Sequence, residues 1–234
     1  MIVRRPIKRR PRVVGVIASR VDLDRAVQMR RRPDLFELRL DRLAAAVVDQ
    51  LEDMLPKLGA PLIITARHPH EGGAGKLSLR KRRALLTRFL SCADYVDIEL
   101  RSARAMQSLL ALAGKKKIRR IISFHSFKST PSPRLLSAKA QEAKAHRADI
   151  FKVATRTDKP MELGRLLDFI TNSHVTLPLA VMGIGKLGAI SRVLLARAGS
   201  VLIYVSLGAA TNIEGQLSFE HLAELGVATM MKQQ

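Results

Sequence analysis

The stretch DIFKVATRT, residues 149–157, sets Lys152 among Ile150, Phe151 and Val153. A short run rich in β-branched and aromatic residues reads as a buried strand. A buried ammonium is costly unless it is paired or gives up its proton. A neutral lysine is a nucleophile toward a carbonyl. His125 closes another such run, IISFHS, and an imidazole takes up and returns protons near neutrality. In FELRLD, Glu37, Arg39 and Asp41 alternate with Phe36, Leu38 and Leu40, and YVDIEL alternates Asp97 and Glu99 in the same way. A period of two puts each charged set on one strand face. Arg67 follows the run LIITA, and Glu71 stands before Gly72-Gly73. Taken singly, each has a plainer reading: an inward salt bridge, a satisfied strand-end histidine, an ion-pair network, a turn. Taken together, they offer a nucleophile, an acid/base and cations for an anionic ligand.

The elements that would hold these residues repeat regularly. Strand-like runs lie near 12–18, 35–41, 61–66, 95–100, 118–124, 150–155, 176–182 and 201–206. Between them run stretches of helical period: Leu163, Leu166, Leu167 and Ile170 in one, and Val47, Val48, Leu51, Met54, Leu55 and Leu58 in another. Ser132-Pro133 is a cap followed by an N1 proline, and Asp158 and Pro160 mark the next helix start. Strand–helix repeated eight times in 234 residues predicts a single-domain (β/α)8 TIM barrel, with a doubly wound open sheet as runner-up. The expected division is a basic N-terminal arm, 1–11, and a barrel catalytic domain, 12–234. In a barrel, chemistry sits at the C-terminal ends of the strands. His125 and Lys152, on consecutive strands, would then share one rim with the charged faces of strands two to four.

Lys plus Arg number 41 against 20 Asp plus Glu, a net charge of +21. Basic clusters occupy the arm, 30–32, 80–83 and 115–120. They are dispersed, and two Tyr with no Trp supply few stacking platforms, so the expectation is no specific nucleic-acid partner. The single Cys92 excludes an internal disulfide and a Cys-rich zinc site. No apolar run reaches the ~18–20 residues of a membrane span, and the arm lacks the apolar region of a signal peptide. A cytoplasmic protein without a membrane partner is expected.

The motifs FELRLD, TARHPHEGG, YVDIEL, IISFHSFKSTP, DIFKVAT, MGIGKLGAISR and EGQLS resemble, in order, those of the type I 3-dehydroquinate dehydratases. That family is a set of (β/α)8 barrel lyases of the shikimate pathway. The resemblance implies dehydration of 3-dehydroquinate to 3-dehydroshikimate through a lysine Schiff base, the third step of that pathway, leading to chorismate and aromatic amino acids. It implies Lys152 as the imine-forming residue, His125 as acid/base and Glu71 as the carboxylate paired with it. It implies Glu37, Arg39, Arg67, Arg192 and Gln216 as substrate contacts, and it carries a homodimer as an expectation. The chemistry requires no metal and no organic cofactor, and the small-molecule partner is the anionic substrate. Burial and nearby cations would favour the neutral amine.

The lid departs from the family's pattern, which reads Ser or Thr, Ala, Pro, Gly, Gln. Here it is Asn212, Ile213, Glu214, Gly215 and Gln216. Glu214 is expected to oppose the substrate's carboxylate and partly to neutralise Arg192, so that replacing it would lower KM. Two other classes stay open at this stage: an aldolase-like Schiff-base enzyme on the same barrel, and a catalytically impaired basic nucleic-acid-binding homologue.

Overall fold

The computed structural model describes residues 10–208 and 214–225. Eight parallel strands form a barrel in the order β7-β6-β5-β4-β3-β2-β1-β8. They are β1 Arg12–Ile17, β2 Leu35–Arg39, β3 Leu62–Thr65, β4 Tyr95–Glu99, β5 Arg119–Ser126, β6 Ile150–Arg156, β7 Leu179–Ile184 and β8 Leu202–Ser206. The helices are α1 Arg20–Gln28, α2 Ala45–Asp49, α3 Leu51–Met54, α4 Leu79–Phe89, α5 Leu100–Ala103, α6 Gln107–Lys115, α7 Pro133–Ala145, α8 Pro160–Asn172, α9 Gly188–Ala198 and α10 Phe219–Glu224. The expected single-domain (β/α)8 barrel is the architecture found.

Period two sorts the strand residues into two cores. Phe36, Leu38, Ile64, Val96, Ile98, Ile122, Phe151 and Val153 face outward and pack under the helices. Val14, Leu35, Ile63, Tyr95, Ile121, Ile150 and Leu202 face inward and fill the lumen. The outward side chains are essentially without solvent exposure, so they anchor the strands that aim the inward residues.

Neighbouring strands pair as ladders except β7 with β8. Near the base of that seam the Val201 N–H donates to the Leu179 carbonyl at 2.9 Å, and the Val181 N–H donates to Ser200 Oγ at 2.9 Å. Near its mouth the Arg192 side chain fills the gap.

Two local expectations shift. The seventh strand starts at Leu179, three residues beyond the expected 176, because Pro178 has no N–H to donate to a ladder. The apolar stripe of 47–58 is not one helix. It divides into α2, α3 and a 3₁₀ turn, Leu55–Leu58, where Pro56 again removes a donor. The start of α8 is where Asp158 and Pro160 mark it: Pro160 is its first residue and Lys159 its cap, and the N–H groups of Asp158 and Lys159 donate to Glu162 Oε2. The Asp158 carboxylate pairs with Arg156. Ser132 caps α7 as expected, accepting from the Leu135 N–H. The first nine residues of the arm, and Asn212 and Ile213 of the lid, lie outside the described residues.

Candidate active site

The strands deliver their inward charges to one cavity of about 280 Å³ at the C-terminal mouth. Glu37, Arg39, Arg67, Glu71, His125, Lys152, Arg192 and Gln216 all line it, so the structure brings together every candidate site residue read from the sequence.

Lys152 is 4 % exposed. Its Nζ donates to Asp97 Oδ2 at 3.0 Å and to Glu37 Oε1 at 3.2 Å. The ammonium position also lies 3.8 Å from the centre of the Tyr204 ring. The nearest charged neighbours of the amine are thus carboxylates rather than the expected cations. Contact with two carboxylates and a ring face holds the amine in place. Like any lysine amine, it acts as a nucleophile only once it has given up its proton.

Those carboxylates are themselves held. Arg67 forks onto Asp97, with Nη1 and Nη2 each 2.9 Å from a carboxylate oxygen, and Nη1 donates to Ser123 Oγ at 2.5 Å. Glu99 lies 3.5 Å from Arg67 and forms a close ion pair with Arg82 of α4. Burial alone would raise the Asp97 carboxyl, but Arg67 and Lys152 hold it far below the ordinary range. Burial acts against the Arg67 guanidinium, and Asp97 and Glu99 more than offset it, so its pKa rises. Glu37 accepts from Thr65 Oγ1 at 2.9 Å. Arg39 forks onto Asp41 at 3.0 and 2.8 Å and donates to the Gly72 carbonyl at 3.1 Å. Burial pushes Asp41 upward, but Arg39 and the Ala74 and Arg67 N–H groups leave it below its usual value.

His125, at the end of β5, meets Glu71 from the loop after β3. Its Nδ1 lies 3.0 Å from Glu71 Oε2, and its own backbone N–H donates to the same oxygen at 3.0 Å. Glu71 reaches this place because Gly72 follows it at φ 83°, a left-handed turn open to glycine. Burial raises Glu71 to about 7. Burial, with Arg67 and Lys152 nearby, pushes His125 well below 6.5. At neutral pH the dyad therefore presents a neutral imidazole beside a carboxyl poised to hold a proton.

Arg192 is different in kind. Its guanidinium is buried and bonds only to carbonyl oxygens among the described residues: Gly183 at 3.0 Å, Gly188 at 3.1 Å, Gly215 at 2.6 Å and Tyr204 at 3.3 Å. Burial lowers it to about 10, still cationic at neutrality, with no carboxylate paired to it among the described residues. A cation held in the cavity wall by neutral acceptors can pair with a carboxylate.

Several site residues were missed in the sequence. Asp97 was noted only as part of an alternating face, yet it is the closest acceptor of the Lys152 amine. Tyr204 sits under that amine with its hydroxyl buried and without a hydrogen-bond partner among the described residues. The sole signal for Tyr204 was its inward phase on β8. Arg156 ends β6, and its Nη1 lies 3.0 Å from Glu214 Oε2 while its Nε meets Asp158 at 2.6 Å. Glu214 is therefore matched by Arg156, and the expected neutralisation of Arg192 is not what the structure shows. Arg192 instead receives the carbonyl of Gly215, whose φ of 76° and close approach to Gly185 and Gly188 leave no room for a Cβ.

Comparison with known proteins places this site in context. The family described as type I 3-dehydroquinase matches residues 15–229. The 3-dehydroquinate dehydratase of Methanothermobacter thermautotrophicus is 33% identical over 178 residues, covering 76% of this chain and 77% of its own. That of a Geobacillus species is 30% identical over 224 residues, covering 91% of this chain and 86% of its own. The crystal structure of the 3-dehydroquinate dehydratase from Geobacillus kaustophilus superposes with a TM-score of 0.85. It has 24% identity and covers 95% of this chain and 93% of that one, which supports the barrel fold.

Proposed function

The chain belongs to the type I 3-dehydroquinase family, and on that premise we propose that it dehydrates 3-dehydroquinate to 3-dehydroshikimate through an imine on Lys152. The observation that carries this reading is Lys152 Nζ, buried between Asp97 and Glu37 in the cavity that His125 and Glu71 also line. The proposed substrate seat combines Arg39, Arg192 and Gln216 with Glu37. Arg67 acts chiefly by holding Asp97 against the amine.

In the first step the ammonium passes a proton to Glu37, 3.2 Å away, and the freed amine attacks the substrate ketone. The N–C bond forms and the carbinolamine loses water to give an iminium. Nearby carboxylates and the Tyr204 ring face stabilise that cation, as they stabilise the ammonium before it. The iminium withdraws electrons and acidifies the adjacent C–H. Neutral His125 takes this proton, and Glu71 holds the ring and balances the imidazolium. His125 then returns the proton to the departing hydroxide, so water leaves and the double bond forms. Hydrolysis of the imine restores Lys152. Every step uses side chains of this chain alone.

We place the enzyme in the cytoplasm, at the third step of the shikimate pathway, as a homodimer, with residues 1–11 an arm outside the catalytic domain. No helix among the described residues is long and apolar enough to cross a membrane. The test is a continuous assay of 3-dehydroquinate by the absorbance of the conjugated product. Turnover that saturates with substrate supports the reading, and absence of turnover by folded protein contradicts it.

A further inference from the structure

The reaction proposed above leaves much of the basic charge without a role. Along the sequence, three of the four basic clusters run toward strand starts, the ends that form the barrel base: the arm ends just before β1, 30–32 precede β2 and 115–120 run into β5. Two arginines from these stretches meet in space. Arg12, which opens β1 directly after the arm, donates to the Tyr95 hydroxyl at 2.5 Å, and Arg119, from the third cluster, donates to the same oxygen at 2.9 Å. Both guanidiniums also lie over the Tyr95 ring, at 5.3 and 5.6 Å from its centre. Two like charges thus share one neutral phenol.

Neither arginine has a carboxylate partner among the described residues. The carboxylates of the loops entering the strands are engaged elsewhere. Asp34 takes Arg10 and the Val13 N–H. Asp149 takes the N–H and side chain of Arg120. Asp94 takes the Leu62 N–H. Arg12 and Arg119 instead open onto a concavity of about 760 Å³, with Arg10 and the paired Asp149 also on its wall. A second hollow of about 390 Å³, lined by the same arginines, adds Lys116 and Lys117, with Asp94 also on its wall. The first nine residues carry Arg4, Arg5, Lys8 and Arg9 and no carboxylate, so the chain's own arm offers no counter-charge.

We infer that the barrel base is a second binding site, for a compact and multiply charged phosphoryl anion that bridges Arg12 and Arg119. Guanidinium forks match phosphoryl oxygens in geometry and charge. The site is concave, and its one aromatic ring lies buried beneath the two arginines, leaving no free face on which a nucleobase would stack. This favours a small polyphosphate over a nucleic-acid strand.

Titration calorimetry with inorganic pyrophosphate at fixed ionic strength tests the site. The wild type is expected to bind one equivalent saturably, and Arg119→Gln, at an exposed position, to weaken binding about 10- to 100-fold. Tyr95→Phe, which keeps the ring but frees both guanidiniums, should weaken it less. Arg80→Gln, in the cluster outside the base, should bind as the wild type does. Thermal unfolding confirms that each variant is folded. Absence of saturable binding, or equal affinity in Arg119→Gln, overturns the inference. Tighter binding of mixed-sequence duplex DNA than of pyrophosphate, lost in Arg119→Gln, overturns the compact-anion assignment in favour of a nucleic-acid face.

Discussion

Tyr95 and Asp97 stand two residues apart on β4 and do comparable work at two levels of one lumen. Each accepts from two cationic side chains. Asp97 receives Arg67 and Lys152, while Tyr95 receives Arg12 and Arg119. The acceptor is a carboxylate near the mouth and a neutral phenol at the base. Near the mouth, Glu37 and Glu99 join Asp97, so cations and anions form a buried, mutually fixed set. At the base the two positive charges have no carboxylate partner among the described residues and lie partly in solvent. Compensation near the mouth fixes the amine where a substrate can meet it. Lack of it at the base leaves two guanidiniums open to the external anion inferred above.

The comparison breaks most severely at Lys152. Lys152→Met should abolish turnover in the product-absorbance assay, whereas Arg119→Gln, the nearest equivalent at the base, should turn over as the wild type does. Next comes His125→Ala, expected to lower kcat by about 10²–10⁴ while leaving imine formation measurable. A near-normal kcat in that variant would make the His125–Glu71 pair structural.

Stability sharpens the same contrast. Asp97→Asn leaves Arg67 and Lys152 short of a buried counter-charge and should cost about 3–5 kcal/mol by denaturant unfolding. Tyr95→Phe removes only a neutral acceptor and should cost about 1 kcal/mol. Equal losses would mean that the buried charges near the mouth are not interdependent.

The acid/base pair has its own pH signature. With the His125 pKa held well below 6.5, kcat should stay level as pH falls through 6.5, where an ordinary histidine would titrate. Glu71, raised from 4.5 to about 7 by burial, contributes stability that is full below 4.5 and lost as pH rises through about 7. Glu71→Gln should remove that dependence, so its stability relative to wild type improves from the acid to the alkaline side of this window. Unfolding curves across the window check the sign.

The smallest effect belongs to the lid. An exposed ion pair such as Arg156–Glu214 contributes about 0–1 kcal/mol, so Glu214→Gln should raise KM by up to about fivefold. The change should shrink as salt rises. This reverses the sign expected from the lid sequence alone, because Arg156 meets the charge that was assigned to oppose the substrate. A lower KM in Glu214→Gln would restore that first expectation.

Much of the site was legible because period two is local. The inward phase of Glu37, Arg39, Asp97, Glu99 and Lys152 follows from alternation along each strand. The barrel then places His125 and Lys152 on neighbouring strands, β5 and β6, with Ser123 opposite Lys152 and His125 opposite Ala154. What stayed hidden depends on how distant strands meet. Lys152 reaches Asp97 across 55 positions and Glu37 across 115, and neither pairing is encoded in any one segment. The Tyr204 ring beneath the amine, the Arg156–Glu214 pair and the meeting of Arg12 and Arg119 at Tyr95 are long-range results of the same kind. The helix breaks before β3 and the late start of β7 were readable in principle from Pro56 and Pro178, where apolar spacing outweighed the missing donor.

The central claim is that Lys152 is the nucleophile. Borohydride added during turnover of 3-dehydroquinate reduces an imine to a stable secondary amine, which peptide mass spectrometry can locate. The account predicts one substrate-derived adduct, on Lys152, present in His125→Ala and absent in Lys152→Met. An adduct on Lys186 or any other lysine, or none in an enzyme that is turning over, would contradict it.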